Sequence, residues 1–391
     1  MNTAPYYCDQ QATLLLGDAL TMLSEMPDAS VNCIVTSPPY WGLRDYGQPG
    51  QYGLEDSPLT YVDTMRAVFG QARRVLAADG TLWLNLGDTY ANRANAAASK
   101  SFRADAAAVM PARVNATAIA PRKGLLMVPE RVAMALSDDG WILRNKIVWH
   151  KPNAMPQSVT DRLSGRYEHV FLFAKSPRYF FDLDAIREPA VTRPGRTWAQ
   201  RKAAGEPGRH GLAGQAAVAR GGFTAAAAGR NPGDVWALST RPYPEAHFAT
   251  FPIDLPLRCI TAGSRPGDTV LDPFSGSGTT GAAAQILGRR YVGIDLNPGY
   301  HDLAITRLAK AGTRPANETP HQLVRNETLH ELVRNETPGP AGPMRNETCC
   351  QAPRCGNPIP KASTGRPRRF CSPACRARAH RAGAALLEVT R

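Results

Sequence analysis

A glycine-rich turn at residues 272–281 leaves this chain only a small choice of folds. It reads Asp-Pro-Phe-Ser-Gly-Ser-Gly-Thr-Thr-Gly and follows a short apolar run, 269–271, that is typical of a buried strand. A helix is predicted over 279–288 and a second strand over 290–294. The spacing G-x-G-x-x-G lets a cofactor approach the backbone and the amides of the helix N-terminus. This unit predicts an α/β protein with a doubly wound, mostly parallel sheet.

A carboxylate follows the second of these strands. Asp295 stands 17 residues after Gly278, and an acidic side chain at the end of a strand can accept both hydroxyls of a ribose. A lone glycine pattern is compatible with a simple tight turn, but the strand, the helix and Asp295 together favour a cofactor site. The pattern by itself allows NAD, a flavin or S-adenosylmethionine.

Other apolar runs extend the alternation of strands and helices along the chain. Predicted strands or helices cover 13–16, 19–26, 31–35, 59–77, 81–86, 125–150 and 168–174, with a turn at Asp79-Gly80. Strands that alternate with helices predict a parallel sheet covered by helices. No stretch of 18 apolar residues occurs, so no membrane span is expected. The first residues lack the pattern of a secretory signal, so we expect a cytoplasmic protein with its eight cysteines reduced.

Composition divides the chain into several regions. The α/β pattern occupies 1–311, with an alanine-rich inserted loop expected at 91–122 and a Gly- and Arg-rich region at 189–233. Asn-Glu-Thr recurs within 312–348, at a spacing too short for a solenoid repeat, and this segment is interpreted as a linker. The last region, 349–391, is basic and rich in cysteine.

The net charge of +13 is concentrated in two of these regions. Residues 351–391 contain nine Lys or Arg and one Glu, a net +8, and 189–233 contain seven and one, a net +6. A basic balance can serve solubility alone, but clustered positive charge favours a nucleic-acid partner.

A second motif, Thr-Ser-Pro-Pro-Tyr-Trp at 36–41, ends a predicted strand abruptly, because proline cannot donate a hydrogen bond to a neighbouring strand. Together with 272–281, this motif resembles the amino-methyltransferases of DNA. Their catalytic motif is (Asp/Asn/Ser)-Pro-Pro-(Tyr/Phe/Trp), and their cofactor is S-adenosylmethionine. Here the catalytic motif precedes the cofactor motif by about 235 residues. This circularly permuted order resembles the β class, in which the target-recognition region lies between the two motifs.

The resemblance covers roughly residues 10–310 and implies a Rossmann-like methyltransferase fold. Further segments resemble family blocks in the family's order, namely 76–85, 146–153, 166–175, 233–236 and 246–252. Glu168 and His169 belong to one of these blocks, but neither receives a catalytic role from the sequence.

The resemblance also implies roles for individual residues. The hydroxyl of Ser37 and the carbonyl of Pro38 would accept hydrogen bonds from an exocyclic amino group, and Pro39 would help to keep the loop stiff. Tyr40 would stack on a base that has left the duplex. The cofactor-binding residues implied are Asp272, Phe274, Gly276, Gly278, Thr279 and Asp295.

Two further residues have alternative interpretations. Trp41 either widens the apolar wall beside the base or is part of the core. Asp18 either lines a pocket for the adenine or the target base, or caps the helix that follows it.

Ser37 favours cytosine as the target, because Ser at this position is commonest in the cytosine-N4 enzymes of the family. The alternative is an adenine-N6 enzyme of the same fold. Transfer to carbon-5 of cytosine needs a cysteine nucleophile, usually after proline, and none of the eight cysteines follows a proline. A rival from another class is a DNA-binding regulator with an inactive methyltransferase core.

The expected partner is double-stranded DNA, and the family also implies a cognate restriction endonuclease. Region 189–233 occupies the place of target recognition, unless it is a disordered basic loop. The candidate DNA contacts there are Arg193, Arg196, Arg201 and Lys202.

The tail, 349–391, has two cysteine pairs separated by fifteen residues. The pairs are Cys350 with Cys355 and Cys371 with Cys375. Four cysteines at such spacings suit a tetrahedral structural zinc ion, and the region resembles small zinc-knuckle tails. The alternative is a disordered basic tail. With zinc, this Cys-rich module would add DNA affinity.

Overall fold

A computed structural model describes residues 4–91, 119–188, 229–240 and 251–312. Within these residues, nine strands form one sheet in the order β1-β2-β9-β8-β3-β4-β6-β5-β7. The strands are β1 (Tyr7–Cys8), β2 (Ala12–Leu16), β3 (Val31–Thr36), β4 (Leu76–Leu86), β5 (Ile142–His150), β6 (Tyr167–Ala174), β7 (Val235–Ala237), β8 (Thr269–Asp272) and β9 (Arg290–Asp295).

The sheet is mostly parallel, as predicted. The five adjacent strands β2, β9, β8, β3 and β4 all run in one direction. Strand β1 is antiparallel to β2. Strand β6 is also an exception to the parallel direction, since it is antiparallel to both β4 and β5. The reason is the connection 151–166, which contains no helix to carry the chain back across the sheet. Because β6 reverses, β5 again runs parallel to β4, and both strands end at the same edge.

Six α-helices cover the sheet in the described ranges. They are α1 (Ala19–Glu25), α2 (Pro58–Val75), α3 (Val128–Asp138), α4 (Asp254–Gly263), α5 (Thr279–Ile286) and α6 (Pro298–Gly312). Side chains alternate across β4: Leu82 and Leu84 pack in the cluster with α1 to α3, whereas Thr81 and Trp83 face Gly263 of α4. The sheet therefore lies between two helical layers, as a doubly wound fold requires.

Helix α2 illustrates how the sequence specifies these elements. Ser57 caps its N-terminus by accepting a hydrogen bond from the amide of Thr60 at 3.1 Å, and Pro58 occupies the first turn. Its apolar residues recur at helical spacing and are buried. They are Tyr61, Met65, Val68, Phe69, Ala72 and Val75.

Most predicted elements are confirmed within a few residues of their ends. The predicted turn at Asp79-Gly80 is wrong: both residues lie inside β4, where the pairing with β3 shifts register between Val31 and Cys33. A bulge thus replaces the turn. None of the helices in the described ranges has the length and hydropathy that a membrane span requires.

Several predicted regions fall wholly or mostly outside the described residues. They are most of the inserted loop 91–122, most of 189–233, the linker 312–348 and the tail 349–391.

Candidate active site

A cavity of about 470 Å³ lies at the carboxyl edge of the parallel strands. Its walls come from the segments that follow β2, β3, β8 and β9, with Asn85 from the end of β4. This is the edge at which doubly wound sheets bind ligands. Both sequence motifs, near Ser37 and near Gly276, therefore contribute to one cavity although they are far apart in the chain.

The glycine loop forms one wall. Gly276 has a φ of +50°, and a Cβ at this position would meet open space, so the backbone is bare toward the cavity. The Gly276 amide donates to Oδ2 of Asp295 at 2.8 Å, and the Asn297 amide donates to Oδ1 at 2.8 Å. Burial raises the pKa of Asp295. Asp295 thus lines the cavity and also fixes the loop, which leaves its remaining lone pairs for a ligand.

Asp272 joins the two motifs. Its Oδ1 accepts hydrogen bonds from the Thr36 hydroxyl at 2.6 Å and the Phe274 amide at 3.0 Å, and its Oδ2 accepts from Thr280 at 2.7 Å. Burial raises its pKa to about 6. Because Thr36 directly precedes Ser37, the Asp272 carboxylate ties the glycine loop to the end of β3.

The carbonyl oxygens of Pro38 and Pro39 differ in their hydrogen bonding. The carbonyl of Pro39 accepts a hydrogen bond from the Tyr61 hydroxyl at 3.0 Å. No donor among the described residues reaches the carbonyl of Pro38, which lines the cavity together with Ser37. One carbonyl is therefore fixed by the scaffold, and the neighbouring one is available to a ligand.

Tyr40 is held in a polar network that the sequence did not predict. Its hydroxyl lies 2.9 Å from Oε2 of Glu168, 3.1 Å from Oδ1 of Asn85 and 3.3 Å from Oγ of Ser37. Lys151 donates to Oε1 of Glu168. Gly87 makes room for the Tyr40 ring, because a Cβ there would lie 2.5 Å from its Cε2.

Lys151, Asn85 and Glu168 all line the cavity, but only the tertiary fold brings them to Tyr40. Lys151 follows β5 and Glu168 lies in β6. The signal in the sequence was the family resemblance of the blocks 76–85, 146–153 and 166–175, which carried no assignment of roles to these three residues.

The connection between β3 and α2 supplies another wall that sequence reasoning missed. Tyr52 lines the cavity, and its ring meets Phe274 edge to face with a centroid separation of 5.4 Å. Oε1 of Gln51 accepts from the Tyr46 amide at 2.7 Å, which shapes the loop. No motif marks these residues, because their position depends on loop conformation.

Asp18 and Trp41 take positions that match the simpler of their two interpretations. Asp18 caps α1 by accepting from the Thr21 amide at 2.9 Å and also accepts from the Tyr52 hydroxyl. Trp41 is buried in the core cluster, and its indole N–H donates to the Glu55 carbonyl at 2.9 Å. Neither side chain belongs to the cavity wall in the described part of the chain.

Two other predicted residues, Phe274 and Thr279, do line the cavity. Thr279 also accepts a hydrogen bond from Arg307 of α6. Gly278 is turned away instead, toward α6, because a Cβ there would lie 2.8 Å from the Cβ of Ala304. The predicted cofactor residues thus divide into those that line the cavity and one, Gly278, that permits helix packing.

The other predicted site residues lie outside the described ranges. They are Arg193, Arg196, Arg201, Lys202, Cys350, Cys355, Cys371 and Cys375. Within the ranges that are described, no group of three or more His, Cys, Asp or Glu side chains is arranged to hold a metal ion.

Known proteins share both the sequence and the fold. Residues 31–306 match the family model described as DNA methylase. The type II methyltransferase M.Cfr9I of Citrobacter freundii is 46% identical over 301 residues, which cover 76% of this chain and 87% of that protein. M.SmaI of Serratia marcescens is 39% identical over 297 residues, covering 76% and 90%.

Among solved structures, the cytosine-N4-specific PvuII DNA methyltransferase is similar with a TM-score of 0.53. The match has 19% identity and covers 86% of this chain and 97% of that one, so it reflects the fold alone. The family model and the relatives indicate the same family as the two motifs that meet at the cavity. The chain therefore belongs to the DNA methylase family of cytosine-N4 and adenine-N6 methyltransferases.

Proposed function

We propose that this chain is a site-specific DNA methyltransferase that transfers the methyl group of S-adenosylmethionine to the exocyclic N4 of cytosine. The single observation that carries this proposal is the pair of acceptors at the end of β3. Ser37 and Pro38 line the same cavity as the glycine loop, and no described residue donates a hydrogen bond to the Pro38 carbonyl. An amino group bonded to both acceptors would face whatever the glycine loop binds.

The cavity fits the proposed cofactor. Its volume is within the range of ligand pockets, roughly 300–1,000 Å³. The space beside Gly276 admits a ligand against bare backbone, and no described side chain caps the first turn of α5 and occupies its amides. Gly276, Asp295 and Phe274 would hold the cofactor, with Asp295 accepting the ribose hydroxyls.

The protein's part in the reaction is to align and polarise the amino group. When bound, S-adenosylmethionine supplies a methyl group already activated by its sulfonium. An exocyclic amino nitrogen is a poor nucleophile, because its lone pair is delocalised into the ring. Hydrogen bonds to Ser37 and to the Pro38 carbonyl would draw that lone pair toward the methyl, and the prolines keep both acceptors in place. Tyr40 would pack against a base that has left the duplex.

Cytosine is the proposed target because position 37 is Ser. The remaining regions complete the proposal: 1–311 as the catalytic domain, with target recognition in 189–233, and 312–348 as a linker. We propose that 349–391 holds a structural zinc ion and adds DNA affinity. The biological context proposed is modification beside a cognate restriction endonuclease.

Mass spectrometry of nucleosides from the DNA of cells expressing the protein tests the proposal, with Ser37→Ala as the control. We expect N4-methylcytosine with the wild type and at least a tenfold lower level with the variant. N6-methyladenine instead would contradict the assignment of cytosine while retaining the family activity. Neither base appearing, on DNA of varied sequence, would favour a DNA-binding regulator whose core is inactive.

A further inference from the structure

Three groups beside the proposed methyl-transfer site form a directed chain of hydrogen bonds. The Ser37 hydroxyl donates to the hydroxyl oxygen of Tyr40 at 3.3 Å. The Tyr40 hydroxyl lies 2.9 Å from Oε2 of Glu168 and donates to it. Oδ1 of Asn85 is a second acceptor for the Tyr40 hydroxyl at 3.1 Å, and Oε2 of Glu168 is the nearer of the two. The two hydroxyls can therefore pass protons from Ser37 toward the carboxylate.

Two further side chains, those of Lys151 and Asn85, hold the Glu168 carboxylate at the end of this series of hydrogen bonds. Lys151 pairs with Oε1 of Glu168 and lies above the Trp149 ring, 4.3 Å from its centroid. The amide of Asn85 donates to Oε2 of Glu168 at 3.3 Å and to the His169 carbonyl at 3.1 Å. An ammonium on one oxygen and an amide on the other hold the carboxylate in place beside Tyr40.

Two other carboxylates line the described cavity, and both have other partners. Asp272 accepts from Thr36, from Thr280 and from a backbone amide, and Asp295 accepts from two backbone amides. Neither carboxylate has a hydrogen bond to Ser37. Of the three carboxylates in this wall, Glu168 alone is connected to the residue that faces the reacting nitrogen.

We infer that Glu168 receives, through Tyr40 and Ser37, the proton that the target amino group loses when it is methylated. This inference rests on the proposed function. The nitrogen forms a bond to the methyl carbon while the carbon–sulfur bond breaks, and that electron pair goes to sulfur. The nitrogen gives a proton to Ser37 Oγ, Ser37 gives its own to Tyr40, and Tyr40 gives its own to Oε2 of Glu168. Each hydroxyl ends with one proton, and the carboxylate ends protonated.

The surroundings of Tyr40 suit a relay rather than a lasting phenolate. Burial, and then the charge of Glu168, raise the pKa of the Tyr40 hydroxyl well above its ordinary value. Tyr40 therefore accepts a proton only as it releases one. Glu168 is partly exposed, with 19% of its side-chain surface accessible, so the proton can pass on to water after the transfer.

Two substitutions interrupt the relay at different points. Tyr40→Phe keeps the ring and the Lys151–Glu168 pair, whereas Glu168→Gln keeps the shape of the acceptor. We expect each to lower the single-turnover rate of methyl transfer about 10²-fold, the size usual for assisted proton transfer. Affinity for S-adenosylmethionine and for DNA should change less than threefold. The double variant should be no slower than either single variant, because Tyr40 and Glu168 are successive steps of the same proton relay.

Three controls separate the relay from a structural effect. Glu130→Gln removes a carboxylate paired with Lys146 outside the cavity and should keep the wild-type rate. Glu168→Asp should restore part of the rate lost in Glu168→Gln. The wild type should show a solvent deuterium isotope effect in single turnover that is larger than that of Tyr40→Phe.

Wild-type single-turnover rates in Tyr40→Phe, or equal isotope effects in the two proteins, would overturn the relay. If Glu168→Gln lowers the melting temperature, Tyr40→Phe decides the matter, because it leaves the ion pair in place. A wild type that binds DNA and cofactor but methylates no DNA would instead overturn the proposed function. Active wild-type enzyme with unaffected variants would overturn the relay alone.

Discussion

The carboxylate of Asp272 is buried, and its partners among the described residues are uncharged hydrogen-bond donors. The residue is 2% exposed, and the partners of its carboxyl are the hydroxyls of Thr36 and Thr280 and the amide of Phe274. Three donors offset only part of the cost of burying an ionised acid, so its pKa rises from 3.8 to about 6. The residue that connects the two motifs therefore makes the folded protein sensitive to pH.

The sign of that sensitivity follows from the raised pKa. Between about pH 4 and pH 6 the folded state holds a proton on Asp272 that the unfolded chain has lost, so stability falls as the pH rises through this window. The shift corresponds to about 3 kcal/mol at most. Above pH 6 this contribution no longer changes.

Asp272→Asn should remove this pH-dependent contribution to the stability of the fold. Its oxygen can accept from Thr36 and Phe274, and its amide can donate to Thr280, whose own proton can go to the Val35 carbonyl at 3.3 Å. We expect the variant to gain stability relative to the wild type, by up to about 3 kcal/mol, between pH 4 and pH 7. Denaturant unfolding without cofactor at both pH values measures this difference.

The control is Asp79→Asn, at an exposed carboxylate 3.3 Å from Arg265. An exposed ion pair contributes little, so this variant should follow the wild type at both pH values. Identical pH dependence in the wild type and in Asp272→Asn would contradict the assignment of the titration to Asp272.

The residues of the site differ in how far the sequence predicts them. Ser37, Asp272, Gly276 and Asp295 were predicted because each belongs to a short motif at the end of a strand. Glu168 was not assigned a role, since its function depends on where β6 places it and on contact with Tyr40. A residue whose role depends on a partner 128 positions away has no local pattern that marks it.

At the level of elements, α5 depends on two glycines with different tasks. Gly278 has a φ of +76°, and a Cβ there would lie 2.8 Å from Ala304 of α6. Gly276 also has a positive φ, but a Cβ there would meet no atom within 4 Å, and the residue lines the cavity. The same substitution at these two positions should therefore have different consequences.

We expect Gly278→Ala to destabilise the fold by about 2–4 kcal/mol, from backbone strain and the clash between α5 and α6. Gly276→Ala should cost about 1–2 kcal/mol from the backbone alone, and it should weaken S-adenosylmethionine binding at least tenfold. Thermal unfolding and calorimetric titration of the two variants measure both effects. Equal loss of stability with cofactor affinity retained in Gly276→Ala would contradict this division.

The sheet shows what alternation along a sequence can and cannot predict. The parallel direction of β3, β4 and β8 was predicted correctly, because helices separate these strands in the chain, but which strands are neighbours was not predicted. The antiparallel direction of β6 was not predicted, because the 16-residue connection 151–166 has no periodicity that would indicate which way the next strand runs. The direction of β6 is determined by its pairing with β4 on one side and with β5 on the other.

At the scale of the whole molecule, positive charge is distributed unevenly along the sequence. The segment 351–391 carries +8 of the net +13, whereas the described residues that line the cavity all precede residue 313 in the sequence. Affinity for DNA and the transfer of the methyl group should therefore be separable.

Deleting 349–391 should weaken DNA binding about tenfold or more at physiological salt and reduce the slope of log K against log salt by at least one unit. Methyl transfer with saturating DNA should keep the wild-type rate. Binding isotherms at several salt concentrations measure the slope, and a zinc chelator should reproduce the loss in the full-length chain. An unchanged salt-dependent affinity after the deletion would contradict the proposed role of this segment.

The hydrogen bond between Thr36 and Asp272 spans 236 positions, which has a consequence for synthesis. A ribosome that adds about 5–20 residues per second needs roughly 10–50 s to pass from one residue to the other. During that interval β3 has gained β4 but not β8, so one of its edges is open to other chains. Ser37 also has no glycine loop opposite it. The proposed site is therefore incomplete in a nascent chain until its last third emerges, and β3 keeps an unpaired edge for the same interval.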